Sequence, residues 1–179
     1  HANTQIPKVI GFKRIGELSN NKEWEKAAEY FWKLVFEKWT ISIGGNSVRE
    51  HFHSPDDFTP MIESNQGPET CNSYNMLRLT QKLYLSNPCP EYIKYYERTL
   101  FNHILSSEHI EKGGFVYFTP MRPRHYRVYS STQKDFWCCV GTGLENHAKY
   151  GEMIYLHDNK NIYINLFIHS KLNWEEKGI

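Results

Sequence analysis

The sequence has 179 residues, enough for one domain or two small ones. Its 21 Lys and Arg against 20 Asp and Glu leave a formal charge of +1, and no basic stripe stands out, so nucleic acid is not an expected partner. No run approaches the ~18 apolar residues of a membrane span, so no membrane partner is expected either. Aromatic residues make up 15% of the chain. Such rings suit sugar stacking but are also ordinary core filler.

His1 is neither an initiator Met nor the start of a signal peptide, so the sequence reads as a piece of a longer protein. Its compartment is not legible, although a periplasmic or other extracytoplasmic setting fits. Pro7 suits a first helical turn, and Val9, Ile10, Ile15 and Leu18 follow at near-helical spacing. Ser19-Asn20-Asn21 breaks that helix. A second is predicted from Lys22 to about Trp39, with Trp24, Ala27, Ala28, Phe31, Leu34 and Val35 on its apolar side. Residues 41–68 lack helical rhythm and form a long loop region of the kind that often carries function.

A third helix is predicted over Glu69 to Leu85, then the Asn87-Pro88-Cys89-Pro90 turn, then a fourth helix to about Ser106. Two αα-hairpins in succession point to a helical solenoid or an α/α toroid. Gly113-Gly114 leads into a short strand, Phe115 to Phe118, and a helix is predicted from Gly143 to Gly151. The texture then changes to a β-hairpin over residues 153–166, with a further strand at Lys171 to Trp174. A mainly α domain over 1–150 is therefore expected, with an incomplete β domain over 151–179.

Four cysteines are present: Cys71, Cys89, Cys138 and Cys139. A disulfide framework is unneeded in a chain this long, and the adjacent Cys138 and Cys139 make a poor bridge. Cys89, between two prolines, reads as incidental. The other three, with Glu69 two residues before Cys71, offer soft donors to one ion such as zinc. Paired C-x-x-C spacing is absent, and three buried free cysteines are the alternative.

Larger motifs narrow the choice. HANTQIPK at 1–8, GGNSVREHF at 44–52, GPETCNSYNMLRLT at 67–80 and FWCCVGTGLENHAKYGE at 136–152 resemble the β-L-arabinofuranosidases of glycoside hydrolase families 127 and 146. YERTLFNHIL, GGFVYFTPMRP and INLFIHS extend the resemblance over nearly the whole chain. It implies the later part of an (α/α)6 toroid followed by the first strands of a β-sandwich domain. It also implies retaining hydrolysis of a terminal β-L-arabinofuranoside of plant glycans, a carbohydrate substrate and Zn2+. By the same resemblance Cys138 is the nucleophile, and Glu69, Cys71 and Cys139 complete the zinc ligands with it. Glu50 is the acid/base, and Tyr117 and His1 line the sugar pocket.

That chemistry is physically coherent. A free thiol is mostly protonated at neutral pH, and a metal removes its proton. Three thiolates and a carboxylate on Zn2+ sum to a formal −2, a poor Lewis acid and a better sulfur donor. Two other readings stand beside it. Closed, thiolate-rich zinc sites are commonly structural, so the site could brace a non-catalytic glycan-binding or scaffolding protein. The sugar could also be another furanoside or a rare L-sugar. Access to the Cys138 sulfur, with Glu50 opposite, separates enzyme from scaffold. His51, His53, His103 and His147 form no recognised ligand pair.

Overall fold

The computed structural model describes residues 1–178. It is mainly helical, with strands only near the end. Helices α1 (Ala2–Ser19) and α2 (Lys22–Lys38) form the first hairpin. Asn20 in the left-handed region ends α1, and the Asn21 side chain accepts from the Glu23 amide to start α2. A short helix α3 (Thr59–Glu63) interrupts the long loop. Helices α4 (Thr70–Ser86) and α5 (Pro90–Thr99) make the second hairpin, and α5 runs on through a π turn, Leu100–Ile104, to Ser107. Helix α6 (Cys138–Ala148) follows, then the antiparallel pair β1 (Tyr155–His157) and β2 (Ile162–Ile164).

Helix α4 is the axis of the fold and packs against α1, α2, α5 and α6. Its far half lies in an apolar core with Met76, Leu79, Leu83, Tyr95 and Trp32. The Trp32 indole stacks on Phe36 at 5.0 Å, meets Tyr92 edge-on at 4.6 Å, and donates to Thr80 Oγ1 at 2.8 Å. That bond lets a large polar-tipped ring sit fully inside.

Several boundaries differ from the sequence reading. Helix α1 begins at Ala2, five residues before Pro7, because Ala2 and Ile6 are buried and the Ala2 amide is bonded to Glu50 O at 2.7 Å. Its inner face is Ile6, Val9 and Lys13, whereas Ile15 and Leu18 are exposed by 50% and 71%. Lys13 is fully buried yet bridges Glu25 at 3.0 Å and Glu17 at 3.3 Å, clamping α1 to α2. On α2, Trp32 takes the buried place and Trp24 is 39% exposed. Residues 115–118 are extended but pair only through single bridges, to Glu108, Tyr129 and Glu69. Residues 171–174 form no strand.

Candidate active site

Helix starts converge at one end of the bundle. His1 immediately precedes α1, Glu69 immediately precedes α4, and Cys138 and Cys139 are the first two residues of α6. Helix α6 therefore starts five residues before the predicted Gly143. Gly141 and Gly143 each disfavour helix by ~1 kcal/mol and hide its start from a propensity reading. Gly143 is required here because a Cβ would enter the Phe115 ring. Three helix N-termini, each carrying partial positive charge, thus face a group of acidic side chains.

The extended segment 115–119 fixes the α4 start from one side. Thr70 donates its amide to Tyr117 O at 2.9 Å and its hydroxyl to Val116 O at 2.7 Å, while Thr119 N donates to Pro68 O at 3.0 Å. The 44–52 loop closes the other side. Gly44 adopts φ +92° against Thr99, which leaves no room for a side chain, and Tyr95 donates to its carbonyl at 3.1 Å.

Potential ligand atoms of Glu69, Cys71, Cys138 and Cys139 all lie within 4.8 Å of one another. Cys138 Sγ is 3.9 Å from Cys139 Sγ and 3.7 Å from Glu69 Oε1. A tetrahedral centre with metal–sulfur bonds of ~2.3 Å would separate its sulfurs by ~3.8 Å, so these edges fit such an ion. The Cys71–Cys139 edge is shorter at 3.2 Å, where the two sulfurs share a hydrogen bond. All four cysteines are free. Glu69 is 1% exposed and its Oε2 has no partner, a costly state for a carboxylate without a cation. The cluster can hold a metal.

Proton occupancy in the cation-free cluster follows from this crowding. Burial, then the neighbouring Cys71 and Glu50, push Glu69 up to about 8. Burial pushes Cys138 up to about 11. The hydrogen bond with Cys71, with burial, pushes Cys139 far above the usual thiol range. Only Cys71 falls, to about 7, because Cys139 and then Thr142 bond to its sulfur. A bound cation would invert this order by favouring four anions at once.

Cys71, Cys139 and Glu69 are buried, but Cys138 is exposed. Beside it the Tyr117 phenol donates to Glu50 Oε1 and also meets the Cys138 thiol. Burial and the Glu50 bond hold that phenol well above its usual range, so it stays a donor. His1 Nε2 lies 3.1 Å from Glu50 Oε2. Glu50 sits at the tip of a two-residue turn in which Val48 and His51 exchange backbone bonds at 2.9 Å. Arg49 and Glu50 take φ 49° and 66°, so two non-glycine residues hold the left-handed conformation that such a turn demands. A cleft of about 330 Å3 opens beside Tyr117 and Trp137, with Phe118, Tyr126, Asn65 and Gln66 in its walls. A larger hollow of about 600 Å3 lies around Arg49 and His53, and no residue of the Glu69–Cys cluster lines either space.

Every residue that the motifs singled out is therefore at this end of the molecule. Asn3, Asn75 and Thr142 were not singled out but belong to the same neighbourhood: Asn3 Nδ2 donates to Glu69 Oε1, Asn75 bonds Asn3, and Thr142 Oγ1 is 3.1 Å from Cys71 Sγ. All three lie inside the quoted motifs, Asn3 in the HANT run, Asn75 in GPETCNSYNMLRLT and Thr142 in the VGTG run, but the motifs attach no role to them. Four other histidines raised by the sequence have partners of their own. His51 and His53 bond backbone carbonyls at 2.6 Å, and His103 pairs with Ser73 at 2.8 Å. His147 bonds the Tyr150 hydroxyl at 2.6 Å and stacks on Phe115. Cys89 is at the opposite end of α4, beside Glu91.

The family described as β-L-arabinofuranosidase, GH127 catalytic domain, matches residues 1–152. Among solved structures the chain is similar to a GH127 β-L-arabinofuranosidase from Geobacillus stearothermophilus T6, with a TM-score of 0.76 and 20% identity. That likeness covers 94% of this chain and 28% of that one, so the chain spans less than a third of the solved protein's length. It shows the fold, a portion of a helical toroid followed by first strands. No curated protein matches by sequence. With a match over most of its length, the chain belongs to the β-L-arabinofuranosidase GH127 catalytic-domain family.

Proposed function

We propose that this chain carries the reaction centre of a retaining exo-glycoside hydrolase that releases terminal β-L-arabinofuranose from plant glycans, with Cys138 as nucleophile and Glu50 as acid/base. The observation that carries the reading is the exposure of one ligand in a buried cluster. Cys138 is open while Glu69, Cys71 and Cys139 are closed in, and the Tyr117 phenol near Cys138 donates to Glu50. A purely structural centre has no use for an accessible sulfur next to a hydrogen-bonded carboxylate.

Soft thiolates with one carboxylate select zinc over magnesium or calcium, and bound zinc would keep the Cys138 sulfur anionic at neutral pH. The sulfur attacks the anomeric carbon as the glycosidic C–O bond breaks, and Glu50 gives its proton to the departing oxygen. A thioglycoside on Cys138 results. Glu50, now a carboxylate, takes a proton from the water that attacks the same carbon, and the C–S bond breaks with its electron pair returning to sulfur. Two inversions give net retention. Tyr117 and His1 hold the two Glu50 oxygens, which fixes the carboxylate for both steps.

Cys138→Ala and Glu50→Gln should each lower turnover of an aryl β-L-arabinofuranoside by at least about a thousandfold in the zinc-loaded enzyme. Near-normal turnover by either variant would remove that residue from its role.

A further inference from the structure

Glu69 brings the one carboxylate to the metal cluster, and its terminal torsion is soft, unlike the short stems of the cysteines. A carboxylate that must present an oxygen to an ion needs that torsion held. Asn3, in the first turn of α1, does this by donating Nδ2 at 3.3 Å to Glu69 Oε1, the oxygen that also lies 3.7 Å from Cys138 Sγ. Oε2 is left buried and unpartnered. The Asn3 amide is itself held one way round, because Asn75 on α4 donates Nδ2 to Asn3 Oδ1 at 2.8 Å. With its oxygen occupied by a donor, Asn3 presents its NH2 to Glu69.

The same turn of α1 also holds the other carboxylate. His1 Nε2 reaches Glu50 Oε2 at 3.1 Å, and the Ala2 amide bonds Glu50 O at 2.7 Å. Three consecutive residues therefore set the spacing between the metal ligand and the acid/base. We infer that Asn3 is a positioning residue for the metal centre, aiming Glu69, and that Asn75 sets the direction in which the Asn3 amide points. Neither touches the reacting atoms. The inference rests on the metal reading above but not on turnover.

The test is zinc affinity, measured by competition against a chromophoric chelator, with thermal melts of the metal-free proteins as the check on folding. Loss of an outer partner of a metal ligand costs ~10–100-fold in affinity, and Asn3→Ala should fall in that range. Asn75→Ala removes only the lock on the amide and should cost less. Asn75→Asp should cost as much as Asn3→Ala, because its carboxylate draws the Asn3 NH2 towards itself and turns Oδ1 against Glu69. A merely structural contact gives no reason for that order. Wild-type affinity in Asn3→Ala, or Asn75→Asp binding as tightly as Asn75→Ala, overturns the inference, and either arm decides alone if the other variant does not fold. A wild-type protein that takes up no zinc overturns the metal reading as well; zinc uptake with insensitive variants overturns this inference only.

Discussion

The two ends of α4 are built from different materials. Its last turns carry Leu79, Leu83 and Tyr84 into an apolar core closed by Trp32 and Tyr95. Its first turns are as deeply buried but polar, with Thr70, Asn72 and Ser73 alongside Glu69 and Cys71. Asn72 bonds Asn46, Ser73 bonds His103, and Thr70 bonds the backbone of Val116. The far end gains stability from area removed from water. At the near end hydrogen bonds roughly offset desolvation, and the excess is a set of acidic groups that want a cation. One helix thus serves as anchor at one end and as the floor of the candidate site at the other.

If that division is right, the two ends respond to different disturbances. The largest expected effect is the pH dependence of metal affinity. Glu69, Cys138 and Cys139 hold protons at pH 6–7, given a Glu69 value of about 8 and a Cys138 value of about 11, with Cys139 higher still. Cys71, at about 7, is also mostly protonated at pH 6 and half so at pH 7. Binding must therefore expel three to four protons, so acid favours the metal-free state, and zinc affinity should rise by more than ~1,000-fold from pH 6 to pH 7 in competition titrations. A slope near zero would mean that the cluster's sulfurs and carboxylate are not the ligands. A smaller effect is expected at the anchor. Leu83→Ala should cost ~2–5 kcal/mol in denaturant unfolding, with zinc affinity changed less than about twofold. Loss of zinc affinity in proportion to stability would show that the ends are not separable.

The contrast also explains what the sequence revealed. At the apolar end, periodicity and Pro90 are enough to place α2, α4 and the start of α5. The site end obeys tertiary rules. Helix α1 reaches back to Ala2 because its first turn is bonded to the Glu50 turn, and local pattern carries no trace of that. Helix α6 begins at Cys138 through two glycines that argue against a helix. The turn at Arg49-Glu50 lacks the Asn-Gly chemistry that announces such a turn, and its backbone strain is visible only in the structure. Nothing in the helical pattern marks Lys13, yet it is fully buried, with Glu17 and Glu25 flanking it. The candidate ligand set came from motif resemblance, since its spacing alone left free thiols as an alternative. Asn75 lies within one of those motifs, but its role was not legible there, because it depends on α1 lying across α4.

The central claim is that Cys138, and no other side chain, makes the covalent bond to the sugar. Labelling the zinc-loaded enzyme with an arabinofuranosyl reagent electrophilic at its anomeric carbon, followed by peptide mass spectrometry, tests it directly. The account predicts one sugar per active site, on the Cys138 sulfur, with labelling abolished in Cys138→Ala. A label on Glu50, Cys71 or Cys139, or inactivation that persists in Cys138→Ala, would contradict it.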